Sequence, residues 1–255
     1  MKNSLNKLLA TLTIVLISNF AFAQTSYVVK GNSVNMRETP SLQGRILAKI
    51  IGGETVSVTN TDNSEWYYAS WYGNKGYISS QLLIRLEDSE QYKDWEKQDA
   101  STGDNPECEN ISPTYDNDLD NKLLIHVGNN ADAVVKLMNY TGDCIRIAYI
   151  KSGDSYSMKN IPEGFYYLKI AYGKDFRKYT QNGNCIVKFM IDPIYKRGSE
   201  KLDYYKVKRP NTIEGDYEVE HWQLPSYELD LNTEFTKGSF NTFRSNKITE
   251  VDFNK

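Results

Sequence analysis

The chain has 255 residues, 40% hydrophobic and 25% charged, with 30 Lys and Arg against 33 Asp and Glu and a net charge of −3. So balanced a charge gives no basic footprint for nucleic acid or an anionic bilayer, and neither is expected as a partner. Two histidines and three cysteines leave little material for a metal centre or an activated nucleophile, and no cofactor is expected.

The first 23 residues carry Lys2 and Lys7, an apolar run from Leu8 to Phe22, and Ala21-Phe22-Ala23 ahead of Gln24. This is the layout of a signal peptide, cleaved after Ala23. The run is shorter than the roughly 20 apolar residues of a spanning helix, and Gln24 is not the Cys of a lipoprotein. The expected product is exported, periplasmic or secreted, with no membrane insertion after signal cleavage.

Residues 24–85 alternate short apolar runs with turn signals, as in a small antiparallel barrel of about five strands. Val56 and Val58 alternate with Thr55, Ser57 and Thr59, which predicts a half-buried strand. Asn60 to Ser64 reads as a turn, Trp66 to Tyr72 as the next strand, and Gly73-Asn74 as a tight hairpin. Gly76 is read as a point where the backbone passes close to a neighbouring strand. In the strand from Trp66, the residues Trp66, Tyr68, Ser70 and Tyr72 share one face, and Tyr67, Ala69 and Trp71 the other. A barrel this small buries only one face, so some of these rings must meet solvent.

The order Val34-Asn-Met-Arg37-Glu-Thr-Pro-Ser41, Ile46-Leu47, Gly53, Val56-Ser-Val58, Trp66-Tyr-Tyr-Ala69 and Gly73-Asn-Lys-Gly76-Tyr-Ile-Ser-Ser-Gln-Leu-Leu83 resembles the bacterial SH3 (SH3b) family. The resemblance implies an SH3-like barrel that tethers or targets, docking on peptidoglycan or on an envelope protein or peptide. The chain departs from it at Glu38-Thr39, where family members often carry a small residue and Gly. Tyr68, Trp71 and Tyr72, with Arg37, are the candidate ligand-binding residues. In the alternative reading Trp66 and Tyr77 form barrel core and the other rings pack on the linker or the second domain.

Residues 86–120 are rich in Asp and Glu and poor in apolar residues, so they are expected to be a mobile acidic linker, with a short helix over Leu86 to Gln98. Asp116-Asn-Asp118-Leu-Asp120-Asn121 begins like a calcium loop. Asn121 replaces its Gly, however, and Val127 its closing Glu, so it is read as solvated linker.

Residues 121–255 predict an antiparallel β-sandwich, with strands over 122–127, 133–139, 144–151, 156–159, 165–172, 185–192, 217–222, 227–231 and 248–253. The stretch from Asn160 to Tyr172 resembles carboxypeptidase-regulatory-like and PEGA-type sandwiches, which implies a structural or adhesive module. Cys144 and Cys185 each open a predicted strand, and are read either as a disulfide formed on export or as two small buried hydrophobes. Cys108 is then left over.

Catalytic clusters are not recognisable. His126 and His221 are isolated, a His-Glu-x-x-His run is missing, and Gly153-Asp154-Ser155 reads as a turn. The sequence therefore describes an all-β, exported, non-enzymatic binding protein: SH3-like barrel, acidic linker, sandwich. Two alternatives stay open. One is a cell-wall hydrolase or other carbohydrate-active enzyme using carboxylates of the C-terminal domain, for which no spacing rule exists. The other is a protein–protein interaction subunit or secreted effector.

Overall fold

The computed structural model describes residues 25–63, 65–109, 111–214, 216–231 and 244–255. The expected signal peptide and its cleavage site lie outside the described residues.

The first seven strands are β1 (Thr25–Val29), β2 (Ser33–Arg37), β3 (Ile46–Ile51), β4 (Thr55–Asn60), β5 (Trp66–Trp71), β6 (Asn74–Ser79) and β7 (Leu83–Arg85). They form one sheet in the order β3-β2-β6-β5-β4-β1-β7. The sequence pattern suggests about five strands; the short pieces β1 and β7 are additional and pair with each other at one edge of the sheet. Alternation decides what goes inside. Tyr27, Val29, Val34, Met36, Val56, Val58, Ala69 and Ile78 fill the core, with Tyr67 and Trp71 packed at its margin. Gly76 lies where the sequence pattern required it: a Cβ there would stand 2.6 Å from the Arg37 carbonyl oxygen and 2.9 Å from Met36 Cγ.

Residues 86–121 contradict the expectation of a mobile linker, and form a strap packed along the second domain. Leu86 is fully buried. The expected helix from Leu86 to Gln98 is replaced by one 3₁₀ turn (Leu86–Asp88), further turns, and β8 (Glu96–Lys97). Trp95 stacks on Tyr179, with ring centroids 5.4 Å apart. Further on, the strap bonds to an exposed strand edge through Gly103 N–H to Tyr149 O, Tyr149 N–H to Asp104 O and Thr114 N–H to Ile145 O. In the loop first compared with a calcium site, the Asn121 amide is committed to the backbone of Ile161, at 2.7 and 2.8 Å.

The second domain begins with β9 (Lys122–Val127), β10 (Asp132–Asn139), β11 (Cys144–Ile150) and β12 (Ser155–Lys159). It continues through β13 (Phe165–Gln181), β14 (Asn184–Gly198), β15 (Leu202–Asp203), β16 (Val207–Glu214), β17 (Tyr217–Gln223), β18 (Tyr227–Leu231) and β19 (Ser245–Lys247) to the helix α1 (Glu250–Asn254). The central sheet has the order β11-β10-β13-β14-β19, with β8 and β15 also pairing with β13. A smaller sheet, β12-β9-β18, covers one side of it. Leu123, Ile125 and Val127 from the small sheet meet Val135, Leu137, Ile150, Leu168 and Ile170 from the large one. Pairing is antiparallel except for β18 on β9. The expected strand over 248–253 is a helix instead: Thr249 caps it, its Oγ1 accepting from Asp252 N–H at 3.1 Å. Thr-x-x-Asp is a helix-start signal that the strand reading overlooked.

The disulfide joins Cys185 to Cys108, with Cα atoms 5.1 Å apart, and Cys144 is the free thiol. This corrects the expected Cys144–Cys185 bridge. Cys185 lies near the turn of the β13–β14 hairpin, on the far side of the central sheet from β11, whereas the docked strap carries Cys108 to it. Cys144 is half-buried at the start of β11, and burial pushes its thiol up to about 11.

β13 and β14 form a hairpin that runs past the sandwich to the barrel. Its register slips between Tyr172 and Lys174. Gly173 permits this, since a Cβ there would lie 2.3 Å from Phe189 Cβ. Gly173→Ala is therefore expected to cost about 1–3 kcal/mol through overpacking, read from the urea midpoint. Cys108→Ser should cost up to about 4.5 kcal/mol by loop entropy, and alkylation without reduction should modify Cys144 alone.

Candidate functional site

The outer face of the barrel sheet is divided between two fates. On the β1–β4 side, Val28 packs with Leu86 and Met190 of β14, Thr55 Oγ1 donates to the Met190 carbonyl, and the Ser26 hydroxyl donates to Asp175 at 2.5 Å. Ser57 points outward, as alternation requires, yet it is 2% exposed because the second domain covers it.

On the β2–β6–β5 side the face is open. Arg37 pairs with Tyr77, and Tyr77 with Tyr68, so the three side chains stand in one cross-strand row. The Tyr68 and Tyr77 rings meet edge to face at 5.0 Å. Trp66 pairs with Ser79 one step along the same face, and is half-buried. The Arg37 guanidinium donates to the Gly44 carbonyl at 2.8 Å, so it braces the loop after β2. The departure from the family pattern has a local use there: Glu38 pairs with Arg45 across the loop at 2.9 Å, and Arg45 holds the Glu38 carboxyl below its usual range.

Of the four predicted site residues, Tyr68 and Arg37 therefore lie on this open row. Trp71 and Tyr72 do not. Trp71 packs on the barrel core with its Nε1 buried and unpartnered among the described residues. Tyr72 has a left-handed backbone (φ 43°). Its N–H donates to Asp192 Oδ1 at 2.8 Å and its hydroxyl to Pro193 O at 3.4 Å, so it is the joint between the domains. For Tyr72 this matches the alternative in which rings pack on the second domain, whereas Trp71 packs on the barrel's own core. Tyr77 and Trp66, which that alternative placed in the core, face outward. The inward Val56, Val58 and Ala69 could have signalled this, because Tyr67 and Trp71 share the face of Ala69.

Elsewhere, three strands of the small sheet bring together groups far apart in sequence. His126 Nδ1 lies 2.6 Å from Ser155 Oγ, and its Nε2 lies 2.9 Å from Glu228 Oε1. The connectivity is that of a nucleophile, base and carboxylate. However, the Glu228 side chain is 66% exposed, and none of the three lines either of the two described cavities. Among the described residues no group of three or more His, Cys, Asp or Glu is arranged to hold a metal ion. No described helix is long and apolar enough to cross a membrane.

Residues 32–84 match the family model of the bacterial SH3 domain. The barrel is thus an SH3-like domain. The chain is also similar to the uncharacterized protein YfhK of Bacillus subtilis (strain 168), at 30% identity over 60 residues. That alignment takes in 24% of this chain and 35% of the relative, so the chain spans about a third of the length of the relative it matches.

The interdomain joint has a pH signature. Burial raises the Asp192 carboxyl above its usual range, against the Tyr72 N–H and Lys174, which lower it. A raised carboxyl destabilises the fold above its folded-state pKa and costs nothing below the ordinary Asp range. Asp192→Asn, which keeps an acceptor for Tyr72, should therefore raise Tm at pH 7. The gain should vanish below about pH 3.9, and calorimetry across this range checks it. Burial, with Glu54 and Asp192, pushes the Tyr72 hydroxyl up to about 12, so the joint should weaken as pH rises from about 10 towards 12.

Proposed function

We propose that the protein is exported and non-enzymatic, and that its SH3-like domain docks it on peptidoglycan or on an envelope protein or peptide. The observation that carries this reading is the open row of Arg37, Tyr77 and Tyr68, flanked by Trp66, on the barrel face that the second domain leaves uncovered. Tyr and Trp rings offer apolar area together with a polar tip, which suits stacking on a sugar ring or laying along a peptide backbone. Arg37, already fixed by its loop, adds a preorganised cation at one end of the row. The second domain, clamped to the barrel through Tyr72 and Met190, is the cargo of this dock.

Pull-down of the full chain by purified peptidoglycan, set beside co-purification from an envelope extract, separates the two ligand classes. Tyr68→Ala with Tyr77→Ala should weaken binding to the true ligand at least about ten-fold, or about 1.4 kcal/mol, with little change in Tm, because both rings lie outside the core. Unchanged capture by both materials would remove the reading. The non-enzymatic part has its own checks. Wall suspensions should keep their turbidity with the protein present, and a fluorophosphonate probe should leave Ser155 unlabelled.

A further inference from the structure

A cleft of about 600 Å³ lies between the β1–β4 side of the barrel and the central sheet, with the strap along a third wall. That volume falls in the range of small-molecule sites, roughly 300–1,000 Å³. Ser57 forms part of its barrel wall. It is 2% exposed, and its Oγ has no hydrogen-bond partner among the described residues. A buried hydroxyl is seldom left so.

The opposite wall carries two carboxylates held in place. Asp132 accepts from the Tyr149 hydroxyl at 2.5 Å and from Ser152 N–H at 2.8 Å. Asp175 accepts from the Ser26 hydroxyl at 2.5 Å and from Arg177 Nε at 3.0 Å. Asp175 has a left-handed backbone (φ 55°) just beyond the register slip of β13, a distortion of the kind that re-aims side chains at binding sites. An ionised carboxylate has about four lone-pair positions, so each can accept further hydrogen bonds. Four further charged side chains line the cleft: Glu87 and Arg177, which pair with Arg85 and Asp175, and two lysines. Lys97 of β8 and Lys174 of β13 take part in no ion pair among the described residues.

Fixed anions and unpaired cations in one chamber select a ligand that bears both signs. A neutral sugar would leave the two ammonium groups unanswered, and a polyanion would be repelled by Asp132 and Asp175. We propose that this cleft binds a short zwitterionic peptide. Its amino terminus lies on Asp132 and Asp175, its carboxylate on Lys97 and Lys174, and Ser57 bonds to its backbone. Three residues span at most about 10 Å, a length that a chamber of this size holds. The site is separate from the open barrel row and does not rest on the docking reading.

Calorimetric titration of the full chain with trialanine tests it, with N-acetyl-trialanine, trialaninamide and diacetylchitobiose as comparison probes. Trialanine should bind, and each end-blocked form should bind at least ten-fold more weakly. Lys97→Ala with Lys174→Ala should lose at least ten-fold for trialanine, and Ser57→Ala several-fold. Near-UV circular dichroism verifies folding, and Lys174→Gln, which keeps the side-chain length, replaces any variant that fails it. Equal binding of free and blocked peptides, preference for the disaccharide, or no heat with millimolar trialanine overturns the proposal, the last leaving a cleft that holds only water.

Discussion

The second face of the central sheet sets the terms for everything packed around it. Its first face is an ordinary apolar sandwich core. The second mixes Val134, Tyr149, Ala171, Phe176 and Phe189 with Lys136 and Lys169, which stand directly opposite each other on β10 and β13. Like charges so placed repel. Burial, followed by Lys136, pushes the Lys169 ammonium below its usual range. Such a face can neither stay wet nor join a plain hydrocarbon core, so its cover has to be apolar and anionic together. The strap supplies Ala100 and Ile111 for the first need, and Glu109, 2.7 Å from Lys136, for the second. The helix α1 completes the cover, with Phe253 beneath the Lys136 ammonium at 4.5 Å. Two carboxylates of the acidic strap, Glu109 and Glu107, thus answer lysines of the sheet, while most of the others face solvent.

The position of the barrel follows from that arrangement. The strap leaves β7, turns at the buried Leu86 and joins β13 through β8, so the barrel is held beside the far half of the β13–β14 hairpin. Met190 and Asp192 of β14 then meet Val28 and Tyr72. One part of the barrel's outer face is thereby used internally and the rest left free, and this division separates Tyr68 from Tyr72, whereas Trp71 is set apart by its inward direction.

Much of this was legible from residue patterns, and the misses share a cause. Val56 and Val58, Gly76, and the aromatic alternation of Trp66 to Trp71 are local signals, and they placed the barrel strands and its resemblance to the bacterial SH3 family. Most of the sandwich strands were found, without β15, β16 and β19, and β13 and β14 run well beyond their expected ends at residues 172 and 192, because charged positions such as Lys174 and Arg197 read as solvent-facing when only one chain segment is considered. The strap was misread for the same reason. Low hydropathy argued for mobility, while its ion pairs with Lys136 and Lys178, its edge bonding to β11 and its disulfide all depend on partners distant in sequence. The Ser155, His126 and Glu228 contact is likewise a product of register, invisible to spacing rules.

The bridge between Cys108 and Cys185 spans 77 positions of chain, and it closes a ring that contains β9 to β13. If the barrel is moored and the remainder is dragged by flow or by a moving surface, tension passes from residue 108 directly to residue 185. Roughly 250 Å of polypeptide, at about 3.3 Å per residue, is thus taken out of the line of pull. Under load that ring has no slack to pay out, and β9 to β13, with the part of the sandwich core they carry, lie inside a loop that the force bypasses.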